Sequence, residues 1–184
     1  MPIFILLGVL VVLMLFAVLS YNRLVSLREQ VRAAWAQIDV SLKRRYDLIP
    51  NLVETVKGYA KHEQGTLQAV IAARNQAVAA AGNPGQLSAA ETQLTGAMRQ
   101  MFALAESYPD LKANTNFLQL QGELSNTENQ IGQQRSQYNG LVASYNAALL
   151  SFPTNLMAGP FGFTPQAFFE LQDVTQREAP KVQF

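Results

Sequence analysis

The chain contains no cysteine. That absence removes disulfides, Cys-ligated zinc, iron–sulfur centres and thiol nucleophiles, and it leaves the redox compartment open. Histidine is almost as scarce: His62 stands alone, with Glu63 beside it and Tyr59 three residues before it. Neither the H-E-x-x-H pattern of zinc hydrolases nor the Glu-x-x-His pattern of di-iron bundles can be assembled around it. There is no G-x-x-x-x-G-K-[ST] loop, and the Gly82-Asn83-Pro84-Gly85 cluster contains a proline, so no phosphate cradle is expected. Charge is also short, at 15% of residues, against roughly 25% in an ordinary soluble domain. Fourteen bases against 13 acids leave a net charge of +1, which gives no whole-molecule field for nucleic acid. These absences predict no cofactor, no metal, no nucleic-acid partner and no enzymatic activity.

What is present begins with apolar length. Ile3 to Leu19 is an unbroken apolar run, and the flanking Met1, Pro2, Ser20 and Tyr21 extend it to about the 20 residues that cross a hydrocarbon core of about 30 Å. A cleaved signal peptide would want a basic start, a shorter apolar core and a small-x-small cleavage site. No Lys or Arg precedes the run, so residues 1–21 are read as a retained transmembrane anchor with lipid bilayer contact through residues 3–19. Arg23, Arg28 and Arg32 follow it closely. The positive-inside rule therefore places the amino terminus outside and the larger part in the cytoplasm.

After the anchor, apolar residues recur at three- and four-residue steps, the period of a helix face, and nowhere alternate as strands do. Leu24, Val31, Trp35, Ile38, Leu42 and Ile49 mark a helix over 22–49, which Pro50 should end or kink. Asn51 and Glu54 look like the cap of a second helix over 50–81, stopped by the Gly82–Gly85 cluster. Ser88 and Glu91 form a capping box for a third over 88–107, and Asp110 is a plausible cap for a fourth over 110–152. In that last helix Leu124, Ile131, Tyr138 and Tyr145 are expected in the core, while Asn126, Asn129, Gln130, Gln133 and Gln134 are read as a solvated face. The fold class is all-α: one transmembrane helix, an antiparallel bundle of about four long helices over 22–152, and an aromatic-rich tail over 153–184. Phe152 and that tail together hold six of the ten phenylalanines, an unusual wealth for a disordered segment. Four up-and-down helices return the tail to the membrane-proximal end. There its aromatics either enter lipid or plug the bundle base, and Pro160 and Pro165 favour the plug because they forbid an amphipathic helix.

The candidate contact residues are Lys43, Arg44 and Arg45, with Phe161 and Phe163 in the tail. Asp39, Lys43 and Asp47 stand four apart and pair as ordinary helix-surface neighbours, rather than as catalytic carboxylates. The basic triplet is sharper: eight of the 14 bases fall between Tyr21 and Lys61 against four acids. Arg45 lies about 35–40 Å along a straight helix from the membrane edge, too far for its own lipid. An acidic protein partner or another copy of the chain fits better.

Three stretches carry a family resemblance: YNRLVSLREQVRAAWAQIDVSLKRRYDLIPNLVETVKGYAKHE from Tyr21, YPDLKANTNFLQLQGELSNTENQI from Tyr108, and QYNGLVASYNAALLSFPTNLMA from Gln137, with a terminal APKVQF. In these the chain resembles the LemA proteins of bacteria. The resemblance implies a single amino-terminal membrane helix and long antiparallel helices. It implies no catalytic chemistry and no cofactor. Members are commonly encoded near membrane metallopeptidases, which by association alone points to envelope maintenance and an envelope metallopeptidase among the partners. The expectation is a non-enzymatic adaptor or self-assembling scaffold at the bacterial inner membrane; the alternative is a ligand carrier or enzyme with a cryptic polar site in the bundle core.

Overall fold

The computed structural model describes residues 2–170, and among them the ordered elements are all helices. They are α1 (Pro2–Tyr59), α2 (Gln64–Ala79), α3 (Pro84–Ala105), the single turn α4 (Pro109–Lys112), α5 (Thr115–Leu150) and the single turn α6 (Asn155–Ala158). The all-helical class and the apolar amino-terminal helix are as expected. The terminal APKVQF and the tail beyond Glu170 lie outside the described residues.

Helix boundaries differ from the sequence reading in instructive ways. Pro50 does not separate two helices; it stands inside α1, which runs on to Tyr59. A proline at position 50 has no N–H to give the carbonyl of Tyr46, four residues earlier. Arg74 of α2 supplies the missing donor, its Nε reaching the Tyr46 carbonyl oxygen at 3.2 Å. The reversal falls instead at residues 60–63, which contain neither proline nor glycine, so no local signal marked it. The break at Gly82–Gly85 is where the breaker residues place it, with Gly82 at a φ of +95° that suits a residue without Cβ. Asn83, not Ser88, caps α3: its side chain accepts from the Gly85 and Gln86 amides at 3.1 and 3.3 Å. Ser88 and Glu91 are buried within that helix. Asp110 lies in the first turn of α4 rather than at a cap, and α5 is capped by Asn114, which accepts from the Phe117 amide at 3.0 Å.

The chain resolves into two compact units, and α1 and α5 contribute to both. One unit joins Met1–Gln37 to Gln134–Phe168. Its core takes Leu24, Val31 and Ala34 from α1 and Tyr138, Val142, Tyr145 and Leu149 from α5. Trp35 lies against Tyr138 with ring centroids 5.3 Å apart. The segment after α5 is pinned back on it. Asn146 donates to the Gln166 carbonyl and accepts from the Gln166 amide, both at 2.9 Å, and the Tyr138 hydroxyl donates to the Ala167 carbonyl at 2.9 Å. From Ile3 to Leu19 the helix keeps its large apolar side chains exposed.

The other unit is built on Ile38–Gln133. Four helical stretches share its core: Ile38, Leu42, Ile49, Leu52 and Val56 of α1, Leu67 and Val70 of α2, Leu87, Leu94 and Met101 of α3, and Phe117, Leu124 and Ile131 of α5. Asn114 donates to the Tyr59 hydroxyl at 2.9 Å while Arg45 meets Glu128 at 3.2 Å. Rising numbers in α1 thus meet falling ones in α5, and the two helices are antiparallel here.

Candidate functional site

The polar centre of the second unit grows from two side chains that interrupt apolar stripes. Along α1, Ile38, Leu42, Arg45, Ile49, Leu52 and Val56 follow a four-three repeat, and Arg45 holds an interior position in it. Along α3, Leu87, Glu91, Leu94, Met98 and Met101 do the same, and Glu91 is the exception. Helix periodicity points both inward. A lone ion there would cost several kcal/mol to desolvate, so it is tolerated only when partnered. The partners are present. Arg45 Nη1 donates to Glu91 Oε2 at 2.7 Å, its Nη2 donates to Thr95 Oγ1 at 3.2 Å and meets Glu128 Oε2 at 3.2 Å, and the Tyr46 hydroxyl donates to Glu91 Oε1 at 2.6 Å.

Arg45 is 4% exposed and Glu91 2%. Burial pushes the Glu91 carboxyl above its ordinary value, with the Arg45 charge and the Tyr46 hydrogen bond opposing it. Burial and the adjacent Glu91 carboxylate likewise push the Tyr46 phenol up. Each oxygen of Glu91 accepts from one donor, Oε2 from Arg45 and Oε1 from Tyr46. A polar residue at an interior helix position can set register at some cost in stability.

The basic triplet therefore divides. Arg45 is turned inward, correcting the expectation of a surface contact, because its position belongs to the core stripe. Arg44 is exposed but pairs with Glu123 at 2.8 Å, and Lys43 is exposed. The two tail residues divide as well. Phe163 is buried, with Tyr21 edge-on at 5.7 Å and the Arg28 guanidinium over its ring at 5.1 Å, whereas Phe161 stays 55% exposed while touching Tyr21 at 5.0 Å. Glu91 was missed as a partner for Arg45 because S-x-x-E read as a cap. Its signal was nonetheless local: a carboxylate on an apolar stripe.

His62 is exposed in the turn between α1 and α2. Among the described residues no three His, Asp or Glu side chains gather as a metal would need. An open cleft of about 990 Å³ runs between the Pro50–Lys61 stretch and α2, with Val53, Leu67 and Ile71 on its floor and Lys57 and Lys61 at its edge. A smaller one of about 360 Å³ opens on Arg45, Thr95, Arg99 and Glu128.

Comparison with known proteins decides the family, since the family model described as the LemA family matches residues 34–184. The chain belongs to the LemA family. Relatives of this LemA-family chain include Protein LemA of Metamycoplasma hominis, 26% identical over 83% of this chain and 70% of that protein. Magnetosome protein MamQ of Magnetospirillum gryphiswaldense is 23% identical over 89% of this chain and 75% of its own length. Magnetosome protein MamQ 2 of Paramagnetospirillum magneticum is 24% identical over 83% of this chain and 65% of its own. Among the described residues of this family member, α1 alone is long and apolar enough to cross a membrane, which suits it to anchoring.

Proposed function

We propose that this LemA-family chain is a membrane-anchored, non-enzymatic adaptor or self-assembling scaffold at the inner membrane of a bacterium, in the service of envelope maintenance. The observation that carries the reading is α1. Its first stretch, Ile3 to Leu19, presents largely exposed apolar side chains, and an apolar surface of that size in water would drive association. In a bilayer the same surface needs no protein cover, since about 26 Å of helix at 1.5 Å per residue nearly matches the hydrocarbon core. The buried charges are spent on holding helices together, which supports binding over catalysis. Two of the relatives are named for the magnetosome and not for a reaction. The partner is another copy or a membrane protein, an envelope metallopeptidase among them, met in part through Lys43 and Arg44. The arginines after the span orient the domain to the cytoplasm.

The cleft beside α2 favours one other reading, a ligand carrier. Size in detergent separates the two. Intact-mass measurement of the extracted protein should give one large defined species, whereas a monomer carrying a small molecule would replace the scaffold with the carrier.

A further inference from the structure

From Ser136 to Phe169 the chain has no charged residue. Up to Phe168 this stretch takes in the last turns of α5, the turns around α6 and the segment pinned back onto α5, all in the unit that also contains the anchor. Four of its large apolar side chains are more than half exposed: Leu150 is 82% exposed, Phe152 79%, Leu156 56% and Phe161 55%. Such a cluster on a soluble surface would be an aggregation site. Its position says what covers it. Phe161 touches Tyr21 at 5.0 Å, and Tyr21 stands two residues beyond the apolar run, where an aromatic ring meets the headgroups.

We infer that the turn carrying Leu150, Phe152, Leu156 and Phe161 is a second membrane contact, a foot whose apolar side chains enter the headgroup region of the bilayer where α1 leaves it. The inference rests on the reading of α1 as a membrane anchor. Two physical requirements bear on such a foot. Backbone polar groups brought toward lipid must be satisfied within the protein. Here the amides of Asn155, Leu156 and Met157 donate to the carbonyls of Ser151, Pro153 and Thr154, and those of Phe161, Gly162 and Phe163 donate to Met157, Gly159 and Ala158. Pro153 and Pro160 have no amide to satisfy. The foot must also be held firmly, because a floppy loop would lose the gain in ordering entropy. Phe163 supplies that hold: it is buried between Tyr21 and Arg28. The prolines that forbid an amphipathic helix therefore do not forbid insertion. One phenylalanine plugs the base, and its neighbour two residues away points outward. Arg23, exposed next to Tyr21 on α1, can meet lipid phosphate at the same depth.

Because the chain has no cysteine, single thiols can carry an environment-sensitive fluorophore. The full-length variants Leu10→Cys, Gln137→Cys, Leu156→Cys and Phe161→Cys are labelled and reconstituted in phosphatidylcholine–phosphatidylglycerol vesicles containing lipids with a nitroxide quencher at shallow or deep positions. Leu156→Cys leaves the Tyr21–Phe161 contact intact and so guards against a local collapse caused by Phe161→Cys. The label at Leu10 should lose emission to the deep quencher, those at Leu156 and Phe161 to the shallow one, and that at Gln137 to neither. Quenching at Leu10 with none at Leu156 and Phe161 overturns the foot, leaves the anchor standing, and assigns the patch to a protein partner. No quenching at Leu10 overturns the anchor and the foot together.

Discussion

Replacing Arg45 by Met removes the cation from between Glu91 and Glu128 and leaves the core shape nearly unchanged. Glu91 is 2% exposed, and without Arg45 the donor still bonded to it is the Tyr46 hydroxyl, at 2.6 Å. Stripping one partner from a buried pair costs about 3–5 kcal/mol, because the other charge is left uncompensated. Glu128 adds little, since its side chain is 45% exposed and rehydrates. The cost carries a pH signature. Burial raises the Glu91 carboxyl above its ordinary value of 4.5, and the Arg45 charge is the main opposing influence. Its loss raises the carboxyl further. A group held above its unfolded value contributes stability that is fully present below that value and is lost as pH rises through the folded one. The penalty of Arg45→Met should therefore be largest at neutral pH and shrink as pH falls toward 4.5. Removing the whole polar group tests the same logic from the other side. With Glu91→Leu and Tyr46→Phe added, no buried charge or phenol is orphaned, and stability should return to wild type or exceed it by about 1–4 kcal/mol. Urea titration of the detergent-solubilised full chain, followed by far-ultraviolet circular dichroism, reads all of these. A single-variant cost below about 1 kcal/mol, the range of exposed pairs, or a cost that does not change with pH, would refute the reasoning.

The proline in α1 gives a second test. Arg74→Met should cost about 1–3 kcal/mol by leaving the Tyr46 carbonyl unsatisfied, and Pro50→Ala in that background should restore it, because the new amide takes the same carbonyl. Additive effects in the double-mutant cycle would show that Arg74 and Pro50 are not linked through that carbonyl. Topology is the third. Gln130 is exposed on α5, so Gln130→Cys should resist a membrane-impermeant maleimide in intact cells and react fully after lysis, and full labelling before lysis would reverse the orientation.

Most of the fold was legible because helix periodicity is a short-range property. The apolar run of residues 3–19, the breaker at Gly82–Gly85, and the burial of Leu124, Ile131, Tyr138 and Tyr145 follow from spacing alone. Asn126, Asn129, Gln130 and Gln133 are exposed as a solvated face should be, while Gln134 is half-buried. What spacing could not supply was the identity of a partner far along the chain. Pro50 looks like a terminator until Arg74, 24 positions later in sequence, bonds the carbonyl that the proline leaves free. Arg45 looks like one of three surface cations until Glu91, buried on another helix, neutralises it. Phe161 and Phe163 are equivalent in composition, and only Tyr21 and Arg28, brought to the tail by the antiparallel return of α5, turn one inward and leave the other out. Local sequence determined the helical class, the breaker at Gly82–Gly85 and the apolar stripes of the long helices. Tertiary structure decided which of the off-pattern residues are satisfied inside, because an unpaired carbonyl or charge is stable or costly according to what a neighbouring helix places within hydrogen-bond reach.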